Sequence, residues 1–190
     1  FLSGITKRSL NVFYYACSYA KVDYSNFMNI TARTALKLIP DPLKTHPVFL
    51  CVDDTMVSKS GKKFENVSKL FNHAAHNGSN YLNGHCFVSI MLCVPVLDHD
   101  KISYLSVPLG YGYRKREKKE SKLELAASMI RQVMPEFLSK EHVIILCDSW
   151  YTKKNLVSII DEYPNLDLIG NARVDSFMFD LAPERTRRRG

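Results

Sequence analysis

The stretches Val48-Phe49-Leu50-Cys51-Val52-Asp53-Asp54-Thr55 and Val143-Ile144-Ile145-Leu146-Cys147-Asp148-Ser149-Trp150 decide the fold. Each is a run of about five apolar residues closed by aspartate, the pattern of a central strand covered on both faces. Open α/β sheets place ligand sites outside the carboxyl ends of such strands. If the two strands are neighbours, Asp53 and Asp148 converge. Carboxylates held on rigid strand ends are hard oxygen ligands of the kind Mg²⁺ or Mn²⁺ requires, and such ions act on phosphate esters. A strand-end Asp also commonly caps the turn that follows it. Side chains alternate along a strand, so Asp53 and Asp54 cannot enter one site in the same way. Asp53 is the expected ligand and Asp54 a helper or loop residue.

Outward from these strings, residues 1 to 24 and 25 to 39 carry apolar residues at near-helical spacing, with Ser9 placed to cap, and predict two helices packed together. Pro40-Asp41-Pro42 ends them. Residues 84 to 96 and 102 to 113 read as two further strands joined by a short polar turn, an antiparallel hairpin. Residues 120 to 134 form an amphipathic helix, 152 to 163 a second one capped by Thr152, and 166 to 170 a last strand. The order is helices, three strands, helix, strand, helix, strand. With the Asp53 and Asp148 strands parallel and adjacent, this is an α/β chain with a ribonuclease H-like mixed sheet and flanking helices. An N-terminal helical segment over 1 to 42 precedes a core over 43 to 190.

The chain has 190 residues, 46% hydrophobic, enough for one sizeable core and incompatible with a disordered chain. Its 26 Lys and Arg against 19 Asp and Glu, a net charge of +7, favour an anionic partner such as nucleic acid. Five cysteines without CxxC spacing read as reduced, buried small hydrophobes. No apolar run reaches the roughly 18 residues of a membrane span, and no signal pattern opens the chain, so a cytoplasmic location is expected. The first residue is not Met and the last lie in the basic run Arg185 to Gly190, so a piece of a longer chain is expected.

Other residues could carry chemistry. Lys59-Ser-Gly-Lys62-Lys63 has the composition of a phosphate cradle without the spacing of a nucleotide-binding loop; it is a solvated loop or a DNA-backbone contact. The run Arg187, Arg188 and Arg189 is a solvated tail or a second such contact. His73, His76, His85 and Cys86 lack the spacing of a zinc site and read as ordinary histidines and a thiol. Trp150 and Tyr151 either stack on a base or seal a helix against the sheet, the second being favoured. Arg173 either pairs with Asp175 or reaches a phosphate.

Taken together, Phe49 to Thr55, Lys59 to Phe64, Tyr81-Leu-Asn-Gly84-His85, Leu146 to Tyr151 and Ile169 to Asp175 resemble the catalytic domain of bacterial insertion-sequence transposases of the DDE type. The resemblance spans nearly the whole chain. It implies a ribonuclease H-like fold and an Asp, Asp, Glu triad that holds two divalent ions, Mg²⁺ or Mn²⁺, to cut and join DNA strands. By matching strings the first Asp is carried onto Asp53 and the second onto Asp148. The family's third carboxylate, a helical Glu, has no counterpart here, since Glu184 lies in a Pro-flanked loop. The expectation is therefore a truncated transposase, DNA-bound through Lys59, Lys62, Lys63, Arg173 and Arg187 to Arg189, with a homodimer on DNA in the parent. Strand cleavage and transfer are expected of the full-length parent, and this chain alone is expected to be inactive. A non-catalytic DNA-binding or interaction module that keeps the fold is the alternative, and a ribonuclease H-like nuclease without strand transfer a third reading.

Overall fold

A computed structural model describes residues 9 to 21, 23 to 61, 63 to 71, 80 to 113, 120 to 137 and 141 to 176. The elements in chain order are α1 (Leu10–Tyr19), α2 (Tyr24–Leu36), β1 (Val48–Ser58), β2 (Ser68–Phe71), β3 (Tyr81–Asp98), β4 (Lys101–Tyr113), α3 (Lys122–Val133), β5 (Val143–Cys147), α4 (Lys154–Val157) and β6 (Leu166–Gly170).

The strands form one mixed sheet. β1 lies at its centre, antiparallel to β3 on one side and parallel to β5 on the other. β6 continues the sheet parallel to β5, and β4 and β2 both pair with β3. The parallel β1 and β5 are joined by a crossover carrying α3, as parallel neighbours require. This is the ribonuclease H-like arrangement that the element order predicts.

One face of the sheet carries the core. Val48, Leu50 and Val52 of β1 lie beside Leu92 and Ile90 of β3 and beside Val143 and Ile145 of β5, all buried. α3 covers them with Ala126, Met129, Ile130 and Val133, the i, i+3, i+4, i+7 stripe of an amphipathic helix. Ser121 caps it: its hydroxyl accepts the Glu124 N–H at 3.2 Å while the Glu124 carboxylate accepts the Ser121 N–H at 2.7 Å. α2 adds Met28, Ala32 and Ala35 to the same core, and Arg33 ties it down by a two-pronged bond to Glu136 at 2.8 and 3.0 Å. On the opposite face Phe49, Cys51, Asp53 and Met91 are half-buried or exposed.

Several expectations are corrected. β1 does not stop before Asp53 but runs on to Ser58, because β3 extends back to Tyr81 and pairs with it as far as Ser58 with Gly84. Asp54 is thus a strand residue, not a loop residue. β2 has no counterpart in the sequence pattern; four residues, only Leu70 of them buried, carry too little periodicity to be seen. The β3 to β4 connection is tighter than expected: His99 and Asp100, both at positive φ (45° and 62°), make a two-residue hairpin turn. The helix expected over 152 to 163 is one α-helical turn followed by a 3₁₀ stretch, Ser158–Glu162. Thr152 does not cap it, donating instead to the carbonyls of Ser149 and Asn171. Ser9 stands at the N-cap of α1 without a side-chain bond. Nor does α1 join the core, since Leu10, Val12, Tyr14, Tyr15 and Tyr19 are all exposed.

Candidate functional site

β1 and β5 end their parallel pairing at Val52 with Cys147. The next residue in each chain is an aspartate, Asp53 and Asp148, and both are exposed. Together with Asp54, Lys122, Ser149, Trp150 and Arg173 they line an open cleft of about 660 Å³. Crevices at the carboxyl ends of parallel strands, where the connections diverge, are where α/β sheets bind ligands.

Asp53 accepts the N–H of Asp54 on Oδ1 at 2.8 Å, while its own carbonyl accepts the Ser89 hydroxyl. Asp148 accepts the Trp150 N–H at 3.0 Å, an Asx turn that aims the chain from β5 toward α4. The capping role open to any strand-end Asp is thus performed here with one oxygen.

Asp54 is a different kind of carboxylate. Alternation turns it to the helix-covered face, opposite buried Val88. There both its oxygens meet the Lys122 ammonium, at 2.8 and 2.9 Å, Oδ1 accepts the Tyr151 hydroxyl at 3.0 Å, and the Cys86 thiol approaches Oδ2 at 3.4 Å. Tyr151 is fully buried, and burial, reinforced by the neighbouring Asp54 carboxylate, pushes its phenol far above the ordinary range. The hydroxyl donates to Asp54. Burial likewise raises the Cys147 thiol to about 11, with the Asp148 charge adding to it.

The residues expected to contact DNA are only partly gathered. Arg173 lines the cleft and is held by Asp175 through two bonds of 2.9 Å. Lys59 lies outside it, its ammonium 5.4 Å from the Phe64 ring centroid, and Lys63 is exposed. Lys62, Arg187, Arg188, Arg189, His73, His76 and Glu184 lie outside the described residues. His85 bonds the Glu65 carbonyl at 2.7 Å and packs against Phe87 and Tyr113, an ordinary structural histidine. The described cysteines 51, 86, 93 and 147 are free thiols, with Cys86 buried and the others half-buried.

Sequence reasoning missed Lys122, which closes the cleft from the helix side. The signal was present: Ser121-Lys-Leu-Glu124 is a capping box ahead of an apolar run, which fixes Lys122 as the first helical residue. No local pattern could have paired it with Asp54, 68 positions away.

The donors facing the cleft are hard carboxylate oxygens, the right chemistry for a divalent cation. The set is incomplete, since among the described residues no three His, Cys, Asp or Glu side chains are gathered closely enough to enclose one. No helix among these residues is long and apolar enough to cross a membrane.

The fold and the cleft define a ribonuclease H-like domain with carboxylates at the ends of its two central parallel strands. A family profile described as DDE superfamily endonuclease matches residues 18–190, and the chain belongs to that family. Among solved structures it is similar to a piggyBac transposase synaptic complex with hairpin DNA, at 16% identity over 73% of this chain and 26% of that one, TM-score 0.38. It is also similar to the Mos1 strand transfer complex, at 12% identity over 92% of this chain and 53% of that one, TM-score 0.31. The Mos1 paired-end complex with left transposon end gives 12% identity over 90% and 53%, TM-score 0.33. The chain thus spans a quarter to a half of the length of these structures. No curated protein matches it.

Proposed function

We propose that this domain is the carboxylate-bearing part of a transposase that cuts and joins DNA strands with the help of divalent metal, Asp53 and Asp148 being the ligands it contributes. The observation that carries the reading is the register of β1 and β5, whose last pair is followed in both strands by an exposed aspartate on one cleft. Membership of the DDE superfamily endonucleases supports it independently. Bound Mg²⁺ or Mn²⁺ would supply Lewis acidity toward a phosphodiester. The chain's own residues have simpler tasks. Asp53 and Asp148 offer free oxygens from rigid backbone, Trp150 walls the cleft, and Arg173 offers a cation for a phosphate. Lys59 and Lys63, with Lys62 and Arg187 to Arg189, would add salt-dependent affinity for the DNA backbone.

The test is Mn²⁺ calorimetry on the chain and on Asp53→Asn and Asp148→Asn, with and without duplex DNA. Binding to the wild type that both substitutions abolish is the expected result; binding indifferent to both refutes the assignment. A joining assay with a 3′-hydroxyl DNA end then separates strand transfer from nicking alone.

A second reading is favoured by one observation, the lack of a three-ligand cluster among the described residues. On that reading the domain binds DNA and performs no chemistry. DNA binding without any Mn²⁺ binding would select it.

A further inference from the structure

The open face of the sheet beside the cleft is aromatic. Phe87 of β3 stands in the middle of the group, with the ring centroids of Tyr111 at 5.6 Å, Tyr113 at 6.1 Å and His85 at 5.8 Å. The rings meet tilted or edgewise rather than stacked on one another, and Tyr111 and Tyr113 are left 72% and 37% exposed. Exposed aromatics scattered singly are ordinary; a group of them on one face beside a candidate site marks a binding surface.

A slip of register puts the two tyrosines there. In β4 Ser106 pairs with Cys93 and Pro108 with Met91, and the ladder then shifts by one residue, so that Gly110 meets Ile90, Tyr111 meets Ser89 and Tyr113 meets Phe87. Without the shift, alternation would turn Tyr111 and Tyr113 to the helix-covered face and the two glycines outward. The covered face has no room for them: a Cβ at Gly112 would already lie 2.9 Å from the Leu125 side chain of α3. The bulge thus re-aims two rings to the open face, a use bulges have beside active sites.

The aromatic group adjoins the cleft. Phe87 pairs across the ladder with Thr55, which lines the cleft. Ser89 stands between Asp53 and Tyr111 in register and donates its hydroxyl to the Asp53 carbonyl at 3.3 Å. Two strand spacings of about 4.8 Å put the Tyr111 backbone about 10 Å from that of Asp53, the rise of about three stacked bases. Charge selects a polyanion as the occupant. The chain carries a net +7, Arg173 lines the cleft, and the sequence after Tyr113, Arg114-Lys-Arg-Glu-Lys-Lys119, has five cations in six residues, outside the described ones. A polyanion that also offers flat apolar rings is a nucleic acid with unpaired bases, since duplex DNA hides its base faces.

Resting on the transposase reading above, we propose that Phe87, Tyr111 and Tyr113 form a stacking platform for unpaired bases of the DNA strand whose phosphodiester lies at Asp53 and Asp148. Tyr111 and Tyr113 supply the exposed rings, and Phe87, braced by His85, sets their spacing. Every base has a flat face, so the platform selects DNA that is open near the cleft and not a base sequence.

Fluorescence anisotropy on the whole chain tests this with labelled probes: a single strand of thymidines, the same backbone carrying abasic sites, and a blunt duplex of equal length. The thymidine strand should bind at least about tenfold more tightly than the abasic one, and Tyr111→Ala should cost it about tenfold, the scale of one stacked base, while duplex affinity stays unchanged. Tyr111→Phe, which keeps the ring, should bind as the wild type does. Tyr111→Leu, bulky without an aromatic face, repeats the test should Tyr111→Ala fail to fold by circular dichroism. Equal binding of the thymidine and abasic strands, or a Tyr111→Ala variant that binds the thymidine strand as the wild type does, overturns the proposal; Mn²⁺ binding by the wild type that needs Asp53 and Asp148 then leaves the functional reading intact. Unaltered DNA binding with a changed sedimentation coefficient in Tyr111→Ala assigns the face to a second copy of the chain and likewise overturns it. A wild type that binds neither DNA nor Mn²⁺ overturns the proposal and the functional reading together.

Discussion

Tyr151→Phe removes one hydroxyl from a fully buried side chain without opening a cavity, and it isolates the bond that ties the two halves of the cleft together. Tyr151 lies three residues after Asp148, whose carbonyl accepts its N–H at 3.1 Å. Its hydroxyl reaches Asp54, next to Asp53, at 3.0 Å. A hydrogen bond to a charged acceptor contributes about 1.5 to 3 kcal/mol. Asp54 retains both Lys122 contacts in the variant, so the lower end applies, about 1.5 kcal/mol. For a chain of this length that lowers the midpoint of thermal unfolding by about 3 to 6 °C. Tyr151→Ala adds a cavity and should cost about 3 to 5 kcal/mol. Thermal melts by circular dichroism, with urea midpoints at constant slope, measure both. A Tyr151→Phe variant as stable as the wild type would show that the hydroxyl carries no net stabilisation. One as damaged as Tyr151→Ala would show that the reasoning misplaced the cost.

Ser121→Ala breaks the capping box of α3 and should cost about 0.5 to 2 kcal/mol, read as a fall in the urea midpoint; no change would mean that the helix end is held by packing alone. Gly84→Ala places a Cβ against the backbone carbonyl oxygen of Val57, which no rotamer can relieve, so β1 and β3 must separate locally; a loss of about 1 to 3 kcal/mol is expected, with faster amide exchange at Val57 and Ser58. The thiols of Cys51 and Cys147 are both raised to about 11, chiefly by burial. Alkylation by iodoacetamide should therefore be slow at pH 8 and accelerate about tenfold per pH unit up to pH 11. In linkage terms the raised values favour the folded state below the ordinary thiol pKa, and stability falls as pH climbs from about 9 toward 11. A flat stability profile over that window refutes the assignment.

The central strands were legible because burial on both faces writes a continuous apolar run, and both runs, 48 to 52 and 143 to 147, lie within strands. Where a strand lies half open the signal fades. β1 beyond Val52 reads Asp-Asp-Thr-Met-Val-Ser, a string with no apolar alternation, and it is a strand only because the long β3 pairs with it. Tertiary pairing decided what propensity could not. Ser9 and Thr152 were good caps by type, yet neither side chain bonds to its helix. Capping depends on where the preceding chain enters, and composition does not encode that.

The cleft separates cleanly by face. On the open face Asp53 and Asp148 each accept a hydrogen bond from local backbone and leave a second oxygen toward the cleft. On the covered face Asp54 spends everything on side chains from elsewhere, Lys122 from the crossover helix and Tyr151 from the turn after β5. Two adjacent residues of identical chemistry thus acquire opposite characters from the two-residue period of a strand. The sequence Asp53-Asp54 is for that reason a joint: one carboxylate faces whatever enters the cleft, while the other fastens the helix and the turn that hold the cleft's walls. Moving the pair by one position would expose the fastening carboxylate and bury the free one against Val88, so the register of β1 fixes the geometry of the site as firmly as the aspartates themselves.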